Sequence, residues 1–128
     1  MAKSPLISIV DDDDSVRESL RSLIRSVGFR AEVFDSAEAL LNSDHLRNTD
    51  CLILDVRMPG MSGLALQRRL IATNCRVPIV FITAHGDEEA RSRALNDGAV
   101  DFLGKPFSEE ALLKAIQSAL SSEGERRG

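Results

Sequence analysis

No part of this chain is long and apolar enough to cross a bilayer. Its apolar runs extend four to five residues, as at Leu6–Val10 and 79–82, where a membrane helix needs roughly 18. The N-terminus, Met1-Ala2-Lys3-Ser4-Pro5, lacks the apolar stretch of a signal peptide, which predicts a cytoplasmic protein with no membrane partner. Cysteine is scarce. Cys51 and Cys75 sit among apolar neighbours without metal-ligand spacing, so two reduced, largely buried thiols are expected. Positive charge is also short: 16 Lys and Arg stand against 20 Asp and Glu, a formal charge of −4. That argues against direct nucleic-acid contact by this domain, though not against a separate DNA-binding domain. At 128 residues there is room for one sizeable core.

What is present alternates between two periodicities. Short β-branched or aliphatic runs fall at Leu6–Val10, 31–34, 51–54, 79–82 and 100–103. Three are nearly continuous in apolar residues, as parallel strands covered on both faces should be. Between them lie helical patterns. Val16, Leu20, Leu23, Ile24 and Val27 form one helix face that stops at Gly28. Ser36, Ser62 and Asp87 open further helices, and Ser108 opens a last one carrying Leu112, Ile116 and Ala119. Five strands alternating with five helices predict a doubly wound α/β sheet. The domain is expected over 1–121, with 122–128 a polar tail or linker stub. The fourth helix is poor in apolar residues, with only Ala90, Ala94 and Leu95. A loosely held, movable or partner-binding element is expected there.

The chemistry lies just beyond the strands. Asp11, Asp12, Asp13 and Asp14 follow the first, Asp55 the third, Thr83 the fourth, and Gly104-Lys105-Pro106-Phe107 the fifth. In an open parallel sheet, ligands bind outside the carboxyl ends of the strands. Taken singly, an acidic run most often caps a helix, a strand-end aspartate makes a turn, and a lysine is solvated. Converging on one edge, they make a site. Two carboxylates about 4 Å apart repel by roughly 4 kcal/mol at an effective dielectric near 20, so such a cluster calls for a cation. Oxygen-only ligands select a hard ion, Mg²⁺ before Ca²⁺ because the carboxylates are too few for a full cage.

Val10-Asp11-Asp12-Asp13, Leu54-Asp55-Val56-Arg57-Met58-Pro59, Ile82-Thr83-Ala84 and Lys105-Pro106-Phe107 resemble the four signature segments of response-regulator receiver domains of two-component phosphorelays. The resemblance runs from about Leu6 to Leu120. Leu-Asp-Val-Arg-Met-Pro-Gly-Met-Ser-Gly and Ile-Thr-Ala-His-Gly-Asp further resemble receivers of nitrogen-fixation-type regulators, which usually precede a helix-turn-helix domain. The resemblance implies a five-stranded sheet in the order 2-1-3-4-5, with Lys105-Pro106 usually cis. It implies that Asp55 is the phosphoacceptor, and that Asp11, Asp12, Asp55 and the Arg57 backbone carbonyl bind Mg²⁺. Thr83 and Lys105 would contact the phosphoryl group, and Phe102 matches the aromatic switch position. A histidine kinase would be the phosphodonor, the domain catalysing only its own phosphorylation and dephosphorylation. The surface of the fourth helix, fifth strand and fifth helix would respond, and a homodimer could form through it. Two departures stand out. Phe102 has no hydroxyl where tyrosine is frequent, and Arg57 and His85 occupy positions that in this family modulate dephosphorylation.

Two other classes are weighed against this one. A haloacid-dehalogenase-like phosphatase wants a second aspartate two residues after the nucleophile, where Arg57 stands. A flavin-binding module wants a phosphate-cradling loop after the first strand, where four aspartates would repel phosphate. A receiver working independently of phosphorylation is disfavoured by the complete acid set.

Overall fold

The five β-rich runs become strands and the 3.6-residue patterns become helices. In this computed structural model, which describes residues 4–84 and 88–127 (122–127 as backbone only), the order is β1 (Leu6–Val10), α1 (Asp14–Ser26), β2 (Arg30–Phe34), α2 (Ala37–Leu41), a 3-10 turn (Leu46–Asn48), β3 (Cys51–Asp55), α3 (Gly63–Ala72), β4 (Ile79–Thr83), α4 (Glu88–Asn96), β5 (Asp101–Gly104) and α5 (Glu109–Arg127). The sheet is parallel throughout, ordered β2-β1-β3-β4-β5, as expected.

The sequence explains the layering. β1, β3 and β4 are buried at every residue, and these are the three near-continuous apolar runs. β2 and β5 lie at the edges and carry partly exposed positions. Alternate residues of the central strands feed two cores. Val10, Leu52, Leu54 and Phe81 pack on one face with Leu40 of α2, Leu66 and Leu70 of α3, and Ala90 and Ala94 of α4. Ile7, Ile9, Ile53 and Ile82 pack on the other with Leu20 and Ile24 of α1 and Leu112 and Ile116 of α5. Each fully buried Leu or Ile contributes about 1.5–3 kcal/mol.

Caps fix where the helices begin and end. Asp13 caps α1, accepting from the Ser15 and Val16 N–H groups. Ser36 and Ser62 cap α2 and α3, and Ser108 accepts from Ala111 at the start of α5. Asp87, expected to open α4, lies outside the described residues, as does His85. Helices α1, α3 and α4 all end in paired 6→1 and 5→2 hydrogen bonds around a left-handed residue. These residues are Gly28 at φ 94°, Asn74 at 62° and Gly98 at 103°; the sequence reading identified only the first.

Several boundaries move: β2 begins one residue earlier, at Arg30, and β3 and β4 each run one residue further, to Asp55 and Thr83. β5 starts at Asp101, because the Val100 N–H donates to Ile79 O as the chain enters the sheet and the register begins with Val80 opposite Asp101. The backbone of 122–127 continues α5, since that stretch contains no proline to stop it. Cys51 is buried and Cys75 half-buried, and neither is in a disulfide.

Helix α4 is thinly anchored, as its composition suggested. It buries only Ala90 and Ala94, where α1 buries Leu20 and Ile24. Its C-terminal end carries a polar tie, where the buried Gln67 side chain of α3 donates to Ala94 O at 3.0 Å. Hydrogen exchange should therefore be about tenfold or more faster in α4 than in α1, fastest in the turn at Glu88. Equal protection in the two helices would contradict this account of the packing.

Candidate functional site

All the loops that follow strands open on one edge of a parallel sheet, and the chemistry-bearing residues gather there. Asp11 directly follows β1 and is fully buried, while Asp12, one residue on, is exposed. Asp55 is the last residue of β3 and is 6% exposed. One carboxylate oxygen from each of Asp11, Asp12 and Asp55 lies within 4.8 Å of the others. Among the described residues, no other His, Cys, Asp and Glu set forms such a group. Lys105 follows β5 and reaches back, its Nζ 2.9 Å from Asp11 Oδ2 and 3.9 Å from Asp55 Oδ2. The Lys105-Pro106 bond is cis, and the Lys105 N–H donates to Thr83 O at 2.6 Å. Thr83 itself is buried at the end of β4.

Three carboxylates against one ammonium leave an excess of two negative charges, and the electrostatics register it. Burial pushes the Asp55 carboxyl up from 3.8 to about 6, and Asp11 adds to the rise. Lys105 and the Arg57 backbone N–H oppose it, and Asp12 raises it further. The donor set passes the test for a hard divalent cation: oxygens only, mutually close, and short of positive charge by two.

The remaining expected residues are placed as follows. Arg57 has an exposed side chain, and its N–H donates to the Asp55 carboxylate. Phe102 is 9% exposed and packs on Phe81, ring centroids 6.0 Å apart. His85 lies outside the described residues. His45 is a loop residue whose ring meets Phe34 with centroids 6.1 Å apart.

Three supports escaped the sequence reading. Arg17 donates to the Asp11 backbone carbonyl at 2.8 Å. Glu38, 23 residues distant, accepts the Met61 N–H at 3.1 Å and so ties α2 to the loop after Asp55. Gly63, present in the sequence only as part of the loop motif after Asp55, serves close approach. Its N–H donates to Val56 O at 2.9 Å, and a Cβ there would collide with the Asp55 carbonyl oxygen. Only Arg17 had a local signal, its i,i+3 spacing from Asp14 on the first turn of a helix.

A family model described as the response regulator receiver domain matches residues 7–117. Response regulator protein TmoT of Ectopseudomonas mendocina is 52% identical over 115 residues, covering 90% of this chain and 52% of that protein. Transcriptional regulatory protein FixJ of Azorhizobium caulinodans is 38% identical over 126 residues, covering 98% of this chain and 60% of that protein. The solved structure of response regulator StyR superposes with a TM-score of 0.90 at 52% identity, covering 98% of this chain and 63% of that one. FixJ-N gives 0.84 at 36% identity, covering 94% and 96%. The chain spans about half the length of the curated relatives it matches.

Two expectations follow from the geometry. Gly63→Ala forces the α3 N-terminus away from the Asp55 peptide and should cost about 1–3 kcal/mol in urea unfolding. Gly28→Ala, where a Cβ meets nothing within 4 Å, should cost only its left-handed backbone penalty of about 1 kcal/mol. Asp55 gives the pH dependence. Its carboxyl ionises above 3.8 when unfolded and above about 6 when folded, so the ionised form weakens the cation-free fold at neutral pH. That penalty fades as the pH falls from about 6 to 3.8. With chelator present, Asp55→Asn should raise Tm by several degrees at pH 7.5, and the gain should shrink toward pH 4.5. A Tm lowered equally at both pH values would contradict it.

Proposed function

The chain belongs to the response regulator receiver domain family, and from that membership we propose that Asp55 is its phosphoacceptor in a site completed by Asp11, Asp12, Thr83 and Lys105. Receivers of two-component systems act as regulators and are phosphorylated by histidine kinases. The observation that carries the reading here is the meeting of three carboxylates and one ammonium at the carboxyl edge of the sheet.

Mg²⁺ would be held by Asp11, Asp12, Asp55 and the Arg57 backbone carbonyl, and when bound it supplies charge neutralisation for nucleophile and phosphoryl oxygens alike. Asp55 attacks the phosphorus of a phosphohistidine in line. An O–P bond forms, the P–N bond breaks, and the imidazole leaves. Lys105, already 3.9 Å from Asp55 Oδ2, takes up the negative charge that accumulates on the phosphoryl oxygens, so the protein works mainly by positioning and electrostatics. Asp55 brings a suitable polarity: with its carboxyl pushed up to about 6 it is still mostly ionised at neutral pH, and, short of cations, it is readied for one. Arg57 and His85, two residues beyond Asp55 and Thr83, would set how easily water reaches the acyl phosphate.

The product carries about one to two further negative charges. The Thr83 hydroxyl would donate to a phosphoryl oxygen, and its movement would favour the inward packing of Phe102 on Phe81 over an outward one. Lacking a hydroxyl, Phe102 would signal through ring packing alone. Shifting such an equilibrium from 1:99 to 99:1 takes about 5.5 kcal/mol, within reach of a few charge-assisted hydrogen bonds of ~1.5–3 kcal/mol each. The surface of α4, β5 and α5 would change in response and form a homodimer or control a transcriptional output domain. The domain itself would work in the cytoplasm without touching nucleic acid.

Incubated with a small acyl-phosphate donor and Mg²⁺, the protein should label at Asp55, and Asp55→Asn or Asp55→Ala should abolish the signal. Lys105→Ala should slow labelling by about 10²-fold, and chelator should stop it. Undiminished labelling of Asp55→Ala would refute the assignment.

A further inference from the structure

We propose that Arg17 is a positioning residue for the cation site, fixing the peptide that joins Asp11 to Asp12 so that both carboxylates stay turned toward Asp55. This rests on the reading of those carboxylates as cation ligands. The four consecutive aspartates have four different occupations. Asp11 takes the Lys105 ammonium on Oδ2 at 2.9 Å and the Asp13 N–H on Oδ1 at 2.8 Å. Asp12 is the exposed member of the carboxylate cluster. Asp13 caps α1. Asp14, 86% exposed in its side chain, holds Arg17 Nη2 at 2.8 Å.

The other arm of the same guanidinium, Nη1, donates to the Asp11 backbone carbonyl at 2.8 Å. The Asp11 N–H is tied separately to Phe34 O of β2 at 3.2 Å. A peptide unit is planar, so anchoring the Asp11 carbonyl sets the direction in which the Asp12 Cα leaves. Asp11 is thus held at both backbone groups and at both carboxylate oxygens, and Asp12 inherits its placement through that plane. The repulsion within the cluster pushes the opposite way, toward splaying the loop. A guanidinium suits the task because its planar fork engages two acceptors at fixed angles, which an ammonium does not. With its side chain 17% exposed, Arg17 reaches the carbonyl from within its own helix.

Removing Arg17 has two opposed effects on a divalent cation: the ligands lose their alignment, and a nearby positive charge disappears. At about 0.15 M salt the Debye length is about 8 Å, which mutes the second effect. Arg17→Lys separates them by keeping the charge and losing the fork. Calorimetric titration of the whole chain with MgCl₂ at that salt should give a Kd raised about tenfold in both Arg17→Ala and Arg17→Lys, the scale of losing a residue that orients a ligand. Asp14→Asn should show a smaller loss of the same sign. Thermal unfolding in chelator supplies the reference, since a merely structural arginine would lower Tm and leave Kd alone. An unchanged or tightened Kd in Arg17→Ala, or a wild-type Kd in Arg17→Lys, overturns the proposal. If Arg17→Ala fails to fold, Arg17→Lys and Asp14→Asn decide it on the same criteria. Absence of Mg²⁺ binding by the unmutated chain would instead overturn the cation site itself, and the clamp with it.

Discussion

The rest of the molecule is arranged around one electrostatic imbalance: three carboxylates brought to within 4.8 Å of one another with a single ammonium among them. At an effective dielectric near 20, each close pair repels by roughly 4 kcal/mol. A loop ending in water would relieve that by opening. Here it is prevented by ties that individually contribute ~1.5–3 kcal/mol when a charge is involved. Lys105 holds Asp11, the Arg57 N–H holds Asp55, and Glu38 braces the Pro59-Gly60-Met61 turn. Burial of Asp55 raises its pKa most, and the neighbouring Asp11 carboxylate, which those ties hold close, adds to the rise.

How far this could be read from the sequence follows from what is local. The strand runs and helix faces are period-2 and period-3.6 patterns written in adjacent residues, so Leu6–Val10 and the α1 face Val16-Leu20-Leu23-Ile24 appeared without coordinates. The site was legible through a topological rule, because a residue ending a parallel strand must face the same edge as its neighbours. That rule places Asp11, Asp55, Thr83 and Lys105 together. It carries no information on distances, so the 2.9 Å contact of Lys105 with Asp11 rather than Asp55 was not foreseeable. Nor was Glu38, whose partner is 23 residues away on another layer. Gly63 was half visible: a glycine after a proline turn suggests backbone freedom, whereas its actual constraint is the volume denied by the Asp55 carbonyl.

The layering also separates rigid from yielding parts. β1 and β3, which carry Asp11 and Asp55, are central and buried on both faces. β5, which carries Phe102, is an edge strand, and α4 beside it contributes two alanines to the core. A rearrangement at that side can therefore proceed while the carboxylates keep their relative positions.

The three left-handed helix ends at Gly28, Asn74 and Gly98 sit at the opposite rim, where each helix hands over to the next strand. They close the backbone hydrogen bonds of α1, α3 and α4 without using any residue of the acidic cluster. The C-terminal stops of α1, α3 and α4 are thus written on the rim opposite the chemistry, while the Asp13 and Ser62 caps and the close approach at Gly63 share the chemical rim. Strengthening the three stops at the far rim therefore need not blunt the chemistry, which lets a domain gain stability without altering the timing set at its acidic edge.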